Sequence, residues 1–333
     1  MEKEKNQSIE TVRGMVIVLV VMGHVIGSAP DGGMKIDFPS SWRYLYLWID
    51  YIQMPLFTAI AGWVYALKSV DKQSISTFTI TKFKRLLVPM ATVATIYFLV
   101  QHFIPGTNSK QTLDSIWRIY FFPYTIFWYL QSLFLIFVVV TLVHKWQWMQ
   151  TFGRWGLVLC GAYIIYVAQI TLVAGHSSNI FSFEGAMNLL PYFIIGIGVQ
   201  RFDNKLYRCR PLLFFLTAMG LLILQVRWFC PQYNKELYQC LLPLWIVPTL
   251  IIILKQNFKN SSFVFLGTYA YSIYLFHGFG TSGGRIILSC ISVDSPWIIF
   301  IFATLISLFI PIMVDKILSK NRFMRTIFLG KIY

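Results

Sequence analysis

The sequence predicts an all-α polytopic membrane protein with about ten transmembrane helices. Three observations carry that expectation: too few charges for a water-soluble surface, a succession of long apolar runs, and a one-sided distribution of basic residues between them. The chain has 333 residues, 57% hydrophobic and only 12% charged, with a mean hydropathy of +0.63. Soluble domains carry about 25% charged residues, and half of that cannot clothe a chain of this length. Its 29 Phe, 18 Tyr and 11 Trp exclude a disordered chain. Five Cys in 333 residues exclude a disulfide-built secreted scaffold.

A spanning helix needs about 20 predominantly apolar residues. Such runs lie near 10–29, 43–67, 85–104, 122–143, 155–174, 186–200, 211–229, 238–255, 262–280 and 295–318. The first follows a charged start but contains Arg13 and His24 and precedes no small-x-small cleavage site. It therefore reads as a membrane helix, not a removable signal. The sixth run is short. The ninth contains Tyr269, Tyr271, Tyr274 and His277, a polarity that suits a helix facing other helices or a cavity. No repeat or low-complexity linker divides the chain, so residues 1–333 are expected to form a single integral-membrane domain.

The net charge of +15 would suggest nucleic acid in a soluble protein. Here the basic residues fall between apolar runs and report topology, with no nucleic-acid partner expected. Of the 28 Lys and Arg, only Lys35, Arg43, Lys110, Arg118, Arg227, Lys235 and Arg285 fall on one side of the alternation. The others occupy the N-terminus, the alternate connections and the tail. That bias predicts a multi-pass protein of the cell membrane with both termini cytoplasmic. An odd helix count would break it. Cys230 and Cys240 flank one expected external loop, which leaves both a disulfide and two separate thiols open. His102, His144 and His176 fall at expected helix ends, where a solvated or interfacial histidine is ordinary, and Gly283-Gly284 reads as a loop.

The first run holds the most informative pair. Arg13 and His24 are eleven positions apart, so at 100° per residue their directions differ by only about 20°, with about 16 Å between them along the axis. Glu10 lies near the same stripe, about 60° from Arg13. Ionisable groups inside a bilayer are costly and point to function. Histidine also titrates near neutral pH, which suits a general base. Lys82, Lys84 and Arg85 sit at the expected cytoplasmic mouth of the third run. They fit either the ordinary cytoplasmic excess of positive charge or a site for a phosphorylated ligand. Tyr274 and His277, one helical turn apart, favour a shared lining. No paired-cysteine metal spacing, His-Glu-x-x-His or serine nucleophile elbow occurs, and no metal is expected.

The string Ile9-Glu10-Thr11-Val12-Arg13-Gly14, continued through an aliphatic run to Gly23-His24, resembles the opening of the acyltransferase-3 family of integral-membrane O-acyltransferases. That family's hallmark is Arg-x10-His. Further fragments resemble the family in order along the chain. They are Met54-Pro55-Leu56-Phe57 with Ala61-Gly62, then Lys82-Phe83-Lys84-Arg85-Leu86-Leu87-Val88-Pro89. Phe127-Trp128-Tyr129-Leu130 and Tyr274-Leu275-Phe276-His277 follow. The sugar O-acetylase-like branch is the nearest in pattern.

The resemblance implies transfer of an acyl group, most simply acetyl, from acetyl-coenzyme A or another acyl-coenzyme A. The acceptor would be a hydroxyl of a cell-surface or secreted carbohydrate such as a polysaccharide, or its lipid-linked precursor. His24 and Arg13 would be catalytic. Lys82, Lys84 and Arg85 would hold the donor, and Glu10, Gln53, Trp128, Tyr129, Tyr274 and His277 would line the substrate site. The chain departs from the family at three positions. Ala61 stands where Ser is usual, Gln53 where the branch often has His, and Lys82 where the first Arg of Arg-x-x-Arg stands. The last change keeps charge but loses bidentate phosphate geometry. A glycolipid or polysaccharide transporter or flippase is the rival reading, in which the same polar residues line a permeation path. Acceptor sugar, acyl length, direct transfer against an acyl-enzyme, and oligomeric state stay open.

Overall fold

A computed structural model describes residues 7–67, 74–108, 110–173, 178–229 and 259–331, with positions 243, 246–249 and 251 between them. The ordered elements are helical, and no strand occurs among the described residues. In chain order they are α1 (Gln7–Ile26), α2 (Ser41–Ala66), α3 (Ile75–Phe103), α4 (Arg118–Phe121), α5 (Trp128–Lys145) and α6 (Phe152–Ala168). Then come α7 (Phe183–Arg201), α8 (Asp203–Arg208), α9 (Arg210–Phe229), α10 (Ser261–Thr268), α11 (Ala270–Cys290), α12 (Pro296–Leu318) and α13 (Arg322–Leu329).

Nine of the ten apolar runs are helical, and the eighth, 238–255, lies almost wholly outside the described residues. By length and composition alone, six described helical stretches can cross a membrane: α1, α3, α5, Phe152–Leu172, Ile180–Arg201 and α12. α2 and α11, at 26 and 21 residues, are as long but more polar. They carry Arg43, Asp50 and Gln53, and Ser272, His277 and Arg285, respectively. Among the described residues, length and composition support six such stretches.

Three boundaries depart from the sequence reading. α3 begins at Ile75 behind the Ser74 cap, ten residues before the expected run. The basic cluster therefore lies inside a helix rather than ahead of it. α5 starts only at Trp128, because Pro123 holds Phe122 extended (φ −123°, ψ 159°). The run at 262–280 is broken at Tyr269 (φ −99°, ψ 6°) into α10 and α11, and α11 then continues to Cys290. Gly283-Gly284 is consequently helical, not a loop. A Cβ at Gly284 would touch Ala303, so the missing side chain lets α12 approach.

α1 is the central helix. It packs on α2, α10, α11 and α12, and Val12, Val16, Ile17, Val20 and Val21 on it are fully buried. α12 is peripheral: Trp297, Ile301, Leu305, Phe309, Met313 and Ile317, spaced by four, are each about half exposed or more. A helix face apolar towards the outside has lipid, not water, as its solvent. Gly14 and Gly267 set the distance between α1 and α10. A Cβ on Gly14 would collide with the Phe263 carbonyl, and one on Gly267 with the Glu10 carbonyl. Close backbone approach through small residues is how membrane helices associate where burial from water contributes little.

Cys160, Cys209 and Cys290 are unpaired and exposed. Cys230, Cys240, Lys68, Lys72, Lys235, Lys255 and His176 lie outside the described residues, as does the side chain of Arg227. Gly267→Val should force α1 and α10 apart and destabilise the fold by about 1–3 kcal/mol, the usual cost of overpacking. Gly161→Ala, where nothing lies within 4 Å, should leave the unfolding midpoint in detergent unchanged or slightly higher. Equal midpoints for both variants would contradict the packing described.

Candidate active site

A cavity of about 530 Å³ opens between α1, α2, α3, α5 and α11, with α12 and the end of α13 at its rim. That volume lies within the range of small-molecule sites, about 300–1,000 Å³. One end is charged, with Arg13, Lys82, Arg85, Lys331 and Asp315 in the wall; the other is aromatic, with Phe57, Tyr129 and Tyr274.

Arg13 is held by Glu10 three residues earlier, its Nη1 lying 2.9 and 3.1 Å from the two carboxylate oxygens. Glu10 is buried at 8% exposure and serves to orient the guanidinium rather than to line the cavity. Lys82 stands 3.6 Å from the Phe137 ring centroid and 5.2 Å from that of Phe78. This cation–π seat fixes a flexible ammonium at the wall. The backbone oxygen of Arg85 accepts from the Tyr271 hydroxyl at 2.6 Å, which ties the basic turn of α3 to α11. Lys84 is exposed and does not line the cavity. The expected donor cluster thus separates into two residues at the wall and one outside.

The aromatic end is a packed partition. Tyr274 stacks on Phe57 at 6.0 Å and tilts against Tyr129 at 5.4 Å. Its hydroxyl donates to the Ile126 carbonyl, which fixes the ring. Behind it lies His277, 5.8 Å from Tyr274, and then His24, whose ring centroid is 5.0 Å from that of His277. The register expected along α1 therefore has a structural counterpart. Arg13 shares the cavity wall with Thr268, Tyr271 and Ser272, while His24, three turns on, meets His277 of α11.

His277 is fully buried. Its Nδ1 lies 2.7 Å from the Tyr274 carbonyl and 3.2 Å from that of Ile273. Carbonyls only accept, so Nδ1 carries a proton, and in the neutral tautomer Nε2 presents an unshared pair. That Nε2 has no partner. Gln53, 4% exposed, likewise leaves Oε1 without a partner, beside Gly23, where a Cβ would lie 2.7 Å from it. Buried polar atoms are normally satisfied. Gln53 Oε1, beside Gly23, and His277 Nε2, within the histidine pair, are thus both left without a hydrogen-bond partner. Trp128 does not join this group. It begins α5 against Gly185 of α7 and meets Tyr129 edge-on at 6.2 Å.

Two residues mattered more than their positions in the sequence suggested. Arg43, counted there only as an external charge, is fully buried at the start of α2. It donates to the carbonyls of Ile36 at 2.5 Å, Gly27 at 2.6 Å and Ala29, pinning the loop that follows His24. His144 is not the solvated helix-end histidine expected but is 2% exposed. Arg201 donates to its Nε2 at 2.9 Å, so Nδ1 carries the proton towards the Tyr65 hydroxyl at 3.1 Å. Tyr65 lies in the cavity wall. His102, as expected of a helix end, is partly exposed and bonds the Gln111 carbonyl at 2.9 Å. Among the described residues no group of three His, Cys, Asp or Glu is placed to hold a metal.

The helical bundle is apolar at its surface and encloses a cavity that is cationic at one end and closed at the other by aromatic rings, behind which His277 meets His24. Residues 6–316 match the family model Acyl_transf_3, described as an acyltransferase domain, and the chain belongs to this acyltransferase-3 family. It is a membrane acyltransferase. No curated protein and no solved structure matches it significantly.

Gln53→Leu removes an acceptor that bonds nothing in the protein. It should lower acyl transfer at least tenfold, on the order of the cost of one lost hydrogen bond to a reacting group, while leaving the unfolding midpoint within a few degrees. A large drop in midpoint with unchanged turnover would make Gln53 a packing residue instead.

Proposed function

We propose that this protein is an O-acetyltransferase. It would move acetyl from acetyl-coenzyme A to a hydroxyl of a cell-surface or secreted carbohydrate or its lipid-linked precursor. The observation that carries this reading is the alignment of the two ends of one site. Arg13, which shares the cavity wall with the cations suited to a donor's phosphates, lies about 16 Å along α1 from His24 of the histidine pair. Both termini would be cytoplasmic and about ten helices would cross the membrane. Arg13, Lys82, Arg85 and Lys331, which meet at the mouth, all belong to the basic side of the topology reading.

In this mechanism Lys82 and Arg85 hold the donor's phosphates, and Arg13, braced by Glu10, takes its charge nearer the partition. The pantetheine arm runs past Phe57, Tyr129 and Tyr274. The acceptor hydroxyl donates towards Gln53 Oε1 and the histidine pair. His24 removes the hydroxyl proton as the oxygen attacks the thioester carbonyl. The C–S bond then breaks, and the imidazolium returns the proton to the leaving thiolate, giving ester and free thiol. His277, fixed by its backbone bonds with its lone pair at Nε2, supports the charge that forms on His24.

A general base contributes about 10²–10⁴-fold, so His24→Gln should reduce transfer from labelled acetyl-coenzyme A by that factor in purified, folded protein in lipid. Donor affinity should stay within a few-fold. Wild-type turnover in that variant would remove His24 from the chemistry. Arg85→Gln should weaken donor binding by roughly 10- to 150-fold, the worth of a charge-assisted contact, whereas Lys84→Gln should change it little. Equal effects would show that the pair acts through net charge, not through the cavity. A transporter would bind glycolipid without consuming the thioester.

A further inference from the structure

Among the described residues lining the cavity, one carboxylate, Asp315 of α12, stands among Arg13, Lys82, Arg85 and Lys331. Asp315 is 3% exposed and accepts from the Ser272 hydroxyl. Both of its oxygens lie 2.8 Å from Lys331 Nζ, which also reaches Ser319 Oγ at 3.3 Å. A buried carboxylate without a counter-ion would repel a phosphorylated ligand at this place, since like charges brought together across a binding site oppose association.

Lys331 arrives on a strap. After α12 the chain turns, Asn321 caps α13 through the amides of Phe323 and Met324, and α13 packs across α3 and the end of α12. α13 closes at Gly330, which is left-handed (φ +60°), and a Cβ there would strike the carbonyl of Arg85. Leu329 is buried at 2%. The strap thus lands on the same turn of α3 that the Tyr271 hydroxyl holds. Its last described residues, Leu329, Gly330 and Lys331, form part of the cavity wall. It lies beyond residue 316, where the family match ends.

We propose that the C-terminal strap sets the charge of the donor site: Lys331 cancels Asp315, the carboxylate that would otherwise face a polyphosphorylated thioester at this wall. Lys331 is a positioning residue here, acting through Asp315 and not by touching the donor. The proposal rests on the phosphorylated donor of the preceding section and adds to it a residue pair that governs affinity.

The test is titration of coenzyme A, and of dephospho-coenzyme A, into the purified full-length chain in lipid nanodiscs at low ionic strength. Each variant's unfolding midpoint is measured alongside. Lys331→Gln should weaken coenzyme A binding about tenfold, equivalent to about 1.4 kcal/mol, and dephospho-coenzyme A binding less. Asp315→Asn, which leaves an extra positive charge at the mouth, should tighten coenzyme A binding. The double variant should return to within about threefold of the unsubstituted protein. Unchanged affinity in Lys331→Gln would overturn the proposal, as would weaker binding in Asp315→Asn. A double variant as weak as Lys331→Gln would overturn it too, because Lys331 would then be a direct phosphate ligand. Absence of coenzyme A binding by the unsubstituted protein would overturn the donor reading and this proposal together. Normal binding with any of the three contrary variant results would overturn only the role of the strap.

Discussion

The rise of a single helix governs this structure. Because α1 carries Arg13 and His24 eleven positions apart, one rigid element holds Arg13 in the cavity wall and His24 against His277 behind the aromatic partition. Helical geometry fixes their separation at about 16 Å and their directions within about 20° of one another. Neither group is tolerated alone inside an apolar bundle. Arg13 is accommodated by Glu10, and His24 by the ring of His277. The neighbours of α1 follow from those needs. α10 approaches through Gly14 and Gly267, α11 supplies Tyr271, Ser272, Tyr274 and His277, and α2 supplies Phe57 and Gln53.

Much of this was legible in the sequence because it obeys local rules. A mean hydropathy of +0.63 and the apolar runs gave the helical class. The Arg13–His24 register placed both on the face of α1 that meets α11, whereas of the expected Tyr274–His277 lining only Tyr274 reaches the cavity, with His277 behind it. The features that were not legible depend on partners distant in the chain. Nothing near Lys84 shows that it points outward while Lys82 and Arg85 point in; that follows from how α3 sits against α5 and α11. His144 looked like a helix-end histidine because its partners, Tyr65 and Arg201, are 79 and 57 positions away. Arg43 looked like topology because the three carbonyls it binds belong to an irregular loop with no sequence signature.

Boundaries failed for a related reason. Hydropathy marks where a helix is apolar, not where it begins. α3 continues for ten residues on the polar side of its run. The break at Tyr269 is invisible to a window that averages over both pieces. The same averaging hid the tail. Lys331 entered the sequence reading only as one more basic residue, whereas α13 folds it back into the cavity wall beside Asp315. Charge counts describe a side of the membrane; they do not show which charges meet.

The proposed reaction requires the donor's acetyl end to pass the Tyr274 partition from the cationic mouth and reach the histidine pair. A cryo-electron microscopy structure of the protein in nanodiscs, saturated with a non-transferable acetyl-coenzyme A analogue, tests it most directly. The account predicts phosphate density against Lys82 and Arg85, with the acetyl end past Tyr274 in contact with His24 or His277. An analogue whose phosphates sit against Lys82 and Arg85 but whose acetyl end turns away from the histidines would contradict it, as would one bound outside the cavity.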